Sequence, residues 1–135
     1  MTISKDIKFD CAHMLSDYEG KCANLHGHTY HGTVTLEGDT AVDTGMLLDY
    51  NWIKKVVDKY DHAVIFSSSE FRNSAEEDLL DWARKHNMRH VVLPFGKSTA
   101  ETLALTIAEE FDRYGRVLVR LSETDGSWAA AEACK

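Results

Sequence analysis

Long apolar runs are absent from this chain of 135 residues. The roughly 18 apolar residues in a row that span a bilayer occur nowhere, and the opening stretch MTISKDIKFD has no signal-peptide core. The expectation is a cytoplasmic protein with no membrane partner. Cysteine is scarce: Cys11, Cys22 and Cys134 make three, an odd count with no CxxC pair, so a disulfide framework is not expected and the thiols should be reduced. There is one proline, and no repeat, linker or low-complexity segment marks a boundary. Basic runs are missing too. Lys and Arg number 15 against 22 Asp and Glu, a net charge of -7, which argues against a nucleic-acid partner because such binding rests on neutralising phosphates.

What is present is an ordinary globular composition, 44% apolar and 27% charged. At this length the chain predicts one domain over residues 1–135 with one core. From 3 to 13 the odd positions Ile3, Ile7, Phe9, Cys11 and His13 alternate with polar Ser4, Asp6, Lys8 and Asp10, the period of a half-buried strand. The stretch 28–37 repeats this, with Tyr30, Val34 and Leu36 on one face and His31, Thr33 and Thr35 on the other. Asp49 caps a predicted helix over 50–60 whose stripe is Ile53, Val56, Val57 and Tyr60. Ser74 and Glu77 suggest a capping box for a helix over about 75–87. HVVLP reads as a short strand, and a third helix starts at Ser98 or Thr99 and stops at Gly115. RVLVRLSET is a strand with Val117, Val119, Leu121 and Glu123 on one side; WAAAEAC is a last strand or a frayed helix. Paired strands at both ends favour an α+β antiparallel sheet with helices on one face. Such a sheet leaves edges that oligomerisation would cover.

Two histidines two apart on a strand point to the same side, so His26 and His28 share the inward face with Tyr30. His13 lies inward on the first strand, and if the strands pair the three imidazoles converge. Three histidines and an open position are a catalytic zinc arrangement. His31 points the other way. HxH also arises by chance as packing, and Cys22 stands open as a fourth, closing ligand or as a nucleophile or base beside the metal. Asp61-His62 is a second candidate: a carboxylate beside an imidazole fixes its tautomer, although neighbours on an extended chain point apart. Glu123 continues an inward apolar row, where a carboxylate is paired, serves a ligand, or reaches solvent at the strand end. A guanidine-like edge with two N–H donors would satisfy both its oxygens. Glu101 has a plainer reading as the end of a Ser98-x-x-Glu101 capping box.

Taken together, FDCAHML, KCANLHGHTY, GMLLDYNWIKK, YDHAVIF, STAETLA and RLSET resemble, in order and over most of the chain, the 6-pyruvoyl-tetrahydropterin synthase family. Within it, the C-x3-H-x-H spacing of Cys22, His26 and His28 is similar to the bacterial branch that makes 6-carboxytetrahydropterin for 7-deazaguanine (queuosine) biosynthesis; pyruvoyl-forming enzymes usually have a longer gap. The resemblance implies the tunnelling fold (T-fold), whose subunits join their sheets into a barrel, commonly a hexamer of two trimers with active sites between subunits. It implies Zn2+ on His13, His26 and His28. It also implies Cys22 as catalytic base or nucleophile, a proton relay completed by Asp61 and His62, and a pterin anchor at Glu123 aided by the Thr99 to Glu101 turn. The substrate implied is a small-molecule pterin triphosphate, 7,8-dihydroneopterin triphosphate. A pyruvoyl-forming or side-chain-cleaving enzyme and a noncatalytic zinc or pterin scaffold are the alternatives. Three features depart from the pattern. Cys11 stands where the family usually has a small residue, residues 66 to 92 are longer than in the shortest members, and the tail after Glu123 lacks a family pattern. Lys21, Lys54 and Lys97 are the lysines available for the triphosphate.

Overall fold

A computed structural model describes residues 1–135. Six strands form one sheet in the order β4-β3-β1-β2-β5-β6. The two long strands β1 (Thr2–His13) and β2 (His26–Glu37) pair antiparallel along their whole length, from Thr2 opposite Glu37 to His13 opposite His26. Strand β5 (Arg116–Thr124) adds antiparallel to β2, and β6 (Ser127–Ala133) adds antiparallel to β5. WAAAEAC is therefore a strand. The alternating pattern of β1, β2 and β5 turns Ile7, Phe9, Tyr30, Val34, Leu36, Val117, Val119 and Leu121 into one core.

That face is covered by α1 (Tyr50–Val57) and α3 (Ala100–Glu109), which contribute Ile53 and Val57, and Leu103, Ala104 and Ile107. Asp49 caps α1 as its sequence suggests, accepting the Asn51 N–H at 2.8 Å. Helix α3 is capped by Thr99, which accepts the Thr102 N–H at 3.2 Å, so Ser98 and Glu101 form no capping box. The helix ends before Gly115, and a 3-10 turn over Asp112–Tyr114 completes the approach to β5. Helix α2 (Ser74–Lys85) is capped by Asn73, not Ser74, and Glu77 pairs with Arg72 instead of closing a box.

Two short strands depart from the antiparallel expectation. β3 (Ala63–Phe66) runs parallel to β1, and β4 (His90–Val92) runs parallel to β3. Strand β3 is not apparent from residue order because AVIF does not alternate: Ala63 and Ile65 join the main core, while Val64 and Phe66 meet Leu79, Leu80 and Ala83 of α2. A strand covered on both sides reads as a continuous apolar run. The sheet is thus mixed and open, with β4 and β6 at its edges.

At Gly32, in the middle of β2, a Cβ would lie 1.9 Å from the Arg120 carbonyl oxygen. Only glycine lets β5 approach β2 there, and this approach carries Glu123 toward the histidines of β2.

Candidate metal centre

The register of β1 and β2 sets His13 directly opposite His26 and Cys11 opposite His28. The three inward imidazoles of His13, His26 and His28 are therefore nearest neighbours, and one nitrogen from each lies within 4.8 Å of the others. His31 faces outward and is exposed, as its place in the alternation requires.

Backbone carbonyls fix the two tautomers that matter. His13 Nδ1 is hydrogen-bonded to the Ser98 carbonyl, and His26 Nδ1 lies 2.7 Å from the Asn24 carbonyl. A carbonyl only accepts, so each Nδ1 carries the proton and each Nε2 presents a lone pair. Those two Nε2 atoms stand 3.1 Å apart. Two acceptors at that distance repel unless a cation lies between them. His28 Nε2 is buried and has no hydrogen-bond partner; the Glu123 carboxylate is 3.1 Å away but outside hydrogen-bond geometry. A buried polar nitrogen left unsatisfied costs about 1–3 kcal/mol. Three neutral imidazole donors suit zinc, whose tetrahedral Zn–N bonds of about 2.0–2.1 Å put ligand nitrogens roughly 3.3 Å apart. The residues fit the ion.

Burial, ahead of the neighbouring imidazoles, lowers the pKa of His13; burial likewise lowers that of His28, against the opposing pull of Glu123. Both rings are held toward the neutral form that binds metal.

Glu123 reaches this cluster from β5. Its Oε1 lies 3.5 Å from His13 Nε2 and accepts a long hydrogen bond of 3.5 Å from the Tyr30 hydroxyl. Burial first, then the charges of Cys11, Glu123 and Glu101, raise the Tyr30 pKa. Tyr30 thus stays a donor, and Glu101 is close enough for its charge to be felt there. Glu101 itself is exposed and unbonded, and Thr99 is occupied as the cap of α3.

The Asp61-His62 pair is made by backbone geometry. His62 adopts φ 58, and this left-handed turn brings its Nδ1 to 2.9 Å from Asp61 Oδ2. The other carboxylate oxygen accepts the Asp10 N–H at 2.9 Å. That backbone donor, more than His62, holds the Asp61 carboxyl below its ordinary value. His62 and His28 line one open groove of about 440 Å³ with Asp10, Cys11 and Val64 among its walls.

Cys22 is not brought to the histidines by a hydrogen bond. It lies exposed in a 3-10 turn, Lys21–Ala23, in the loop between β1 and β2, and its thiol is unbonded. Cys11 is buried, and burial followed by the charges of Asp10, Asp61 and Glu123 pushes its thiol up to about 12. It is a core residue. Of the three lysines, Lys97 donates to the Ser16 carbonyl at 3.3 Å. The carbonyls of Ser98 and Asn24, which orient the two imidazoles, carry no sequence signal, since every residue has one.

The family model described as 6-pyruvoyl tetrahydropterin synthase matches residues 2–134. A 6-carboxy-5,6,7,8-tetrahydropterin synthase of Haemophilus influenzae is 38% identical over 110 residues, covering 76% of this chain and 75% of that protein. Among solved structures, the 6-pyruvoyl tetrahydropterin synthase of Plasmodium falciparum superposes with a TM-score of 0.64 at 19% identity, over 99% of each chain. The Caenorhabditis elegans 6-pyruvoyl tetrahydropterin synthase superposes with a TM-score of 0.61 at 22% identity, over 98% of this chain and 95% of that one.

Proposed function

Because this chain belongs to the 6-pyruvoyl tetrahydropterin synthase family, we propose that it is a zinc-dependent lyase, a 6-carboxy-5,6,7,8-tetrahydropterin synthase. In this reading it converts 7,8-dihydroneopterin triphosphate to 6-carboxytetrahydropterin, triphosphate and acetaldehyde, with one water taken up, and serves 7-deazaguanine (queuosine) biosynthesis in the cytoplasm. The observation that carries it is the convergence of three imidazoles, two with Nε2 lone pairs turned on each other and the third with a buried Nε2 that has no hydrogen-bond partner. The choice of the carboxy-forming branch rests on the C-x3-H-x-H spacing of Cys22, His26 and His28 and on the Haemophilus relative.

His13, His26 and His28 would hold the zinc, with Ser98 and Asn24 fixing the first two rings. When bound, zinc supplies Lewis-acid polarisation of the substrate's side-chain hydroxyls. Glu123 accepts the 2-amino and N3–H donors of the pterin on its two oxygens, with the Thr99 to Glu101 turn beside it. Cys22 takes the proton from the side chain. A free thiol is mostly protonated at neutral pH and needs a nearby cation to act as a base. His62, oriented by Asp61, delivers a proton to the opposite side.

Within one chain, Cys22 shares no hydrogen bond with the Asp61-His62 pair, whose side chains bond to the Asp10 N–H and to each other, and the sheet ends in open edges at β4 and β6. Both features support sites completed between subunits of a homo-oligomer, a hexamer of two trimers that closes the sheets into a barrel. No helix is long and apolar enough to cross a membrane. The whole chain, residues 1–135, serves as one T-fold synthase domain in this reading.

The test is metal content of purified protein together with product identification after incubation with 7,8-dihydroneopterin triphosphate. The expected result is about one zinc per chain and 6-carboxytetrahydropterin with acetaldehyde. A pyruvoyl or hydroxymethyl pterin as the sole product would move the protein to another branch of the family. Zinc with no product from any pterin would leave a binding scaffold.

A further inference from the structure

Glu76, on the first turn of α2, is a fully buried carboxylate that the proposed chemistry does not use. One of its oxygens accepts the Ser67 N–H at 2.8 Å, and the other accepts the Ser16 hydroxyl. The Ser67 hydroxyl in turn accepts the Ser98 N–H at 2.9 Å, and the Ser98 carbonyl receives the Nδ1 proton of His13. Ser98 also donates its hydroxyl to the Met14 carbonyl at 3.2 Å. The chain Glu76, Ser67, Ser98, His13 therefore joins residues that are all at most 2% exposed, passing through the backbone of both serines, and Ser16 ties the segment just after His13 to the same carboxylate.

We propose that Glu76 is a positioning residue for the metal centre: acting through Ser67 and Ser98, it fixes the ring of His13 so that Nε2 faces the ion. The inference rests on the zinc reading above. The Ser98 N–H is held by Ser67, and the Thr99 N–H that follows the Ser98 carbonyl is held by the Lys97 carbonyl at 2.8 Å, so this carbonyl is fixed on both sides; outer partners of this kind set metal affinity by fixing ligand orientation. The start of α2 is thereby tied to the site through Ser67 and Ser98.

The experiment measures zinc affinity by competition with a chromogenic chelator in wild type, Glu76→Leu, Glu76→Gln, Ser67→Ala, Glu76→Leu/Ser67→Ala, His13→Ala and Ile53→Ala. Ile53 is fully buried in the main core and makes none of these hydrogen bonds, so its variant is a reference for general loss of stability. Glu76→Leu and Ser67→Ala should each weaken zinc binding by about 10- to 100-fold. Their double variant should be no weaker than the worse single one, because they act along one path. Glu76→Gln, which can still bond both serines, should restore most of the affinity. Should Glu76→Leu fail to fold, Ser67→Ala carries the test. Unchanged affinity in Ser67→Ala and Glu76→Leu, or a loss no greater than in Ile53→Ala, overturns the proposal while His13→Ala still abolishes binding. If His13→Ala itself binds zinc like wild type, the zinc reading falls and this role with it.

Discussion

His62 folds its imidazole back onto the residue that precedes it, Nδ1 lying 2.9 Å from Asp61 Oδ2, in a backbone conformation of φ 58. The pair needs no third element, yet it exists only because the chain turns left-handed between the 3-10 turn Asp58–Tyr60 and β3. The Asp61 carboxyl, held down first by the Asp10 N–H and then by His62, is ionised throughout the neutral range. A carboxylate with a lowered folded pKa contributes stability above its unfolded value of 3.8 and loses it as pH falls through the folded one, so the pair survives mild acid. Asp61→Asn and His62→Ala should each lower turnover by about 100-fold or more with zinc content unchanged. A loss below about threefold in steady-state assays would take the pair out of the chemistry.

The metal centre gives a pH dependence of known sign. His13 and His28 are held below the ordinary 6.5 by burial, so the unfolded chain binds more protons as pH falls past that value. Stability from the neutral rings is fully present above 6.5 and is lost as pH drops toward their folded values. Thermal melts of zinc-stripped protein should show a falling Tm between about pH 7 and pH 5, and added zinc should raise the Tm at pH 7 more than at pH 5. A zinc-induced shift that is the same at both pH values would argue against imidazole ligation.

Cys22 lies in an exposed turn outside the three-histidine cluster. Cys22→Ala should therefore keep one zinc per chain and lose turnover by about 100-fold or more. Loss of zinc in that variant, read by metal analysis, would make the thiolate a fourth ligand and the site a closed one.

Glu123 faces His13, His28 and Tyr30 at 3.1–3.5 Å, yet the three imidazoles can hold an ion without it. Glu123→Ala should retain zinc and weaken pterin binding by about tenfold or more, since a charged hydrogen-bond partner contributes about 1.5–3 kcal/mol. Fluorescence titration with a pterin measures it. Wild-type affinity in the variant would dismiss the anchor.

Cys11 is buried with its thiol raised to about 12, while Cys22 and Cys134 are exposed. Mass-resolved alkylation at pH 8 should modify Cys11 last, and at a comparable rate only in denaturant. Early modification of Cys11 would mean that β1 opens beside the metal site.

Much of this molecule is legible in the order of its residues. Alternation in β1, β2 and β5 turns the histidines and Glu123 inward, because a strand's side-chain period is two and its register follows the buried face. The same rule turns His31 out. Capping chemistry located α1 through Asp49 and left α3 between Ser98 and Thr99, of which Thr99 is the cap, but misplaced the cap of α2, where Asn73 competes with Ser74 one residue away. Strand β3 was hidden because burial on both sides removes the alternation that reveals a strand. The tertiary structure alone decided which backbone carbonyls orient the imidazoles, that φ 58 closes Asp61 onto His62, and that Glu76 reaches His13 through two serines. These depend on groups that every residue carries, or on contacts between residues up to 85 positions apart. A pattern of side-chain types along the chain records which face is buried, not which distant carbonyl a buried proton will find.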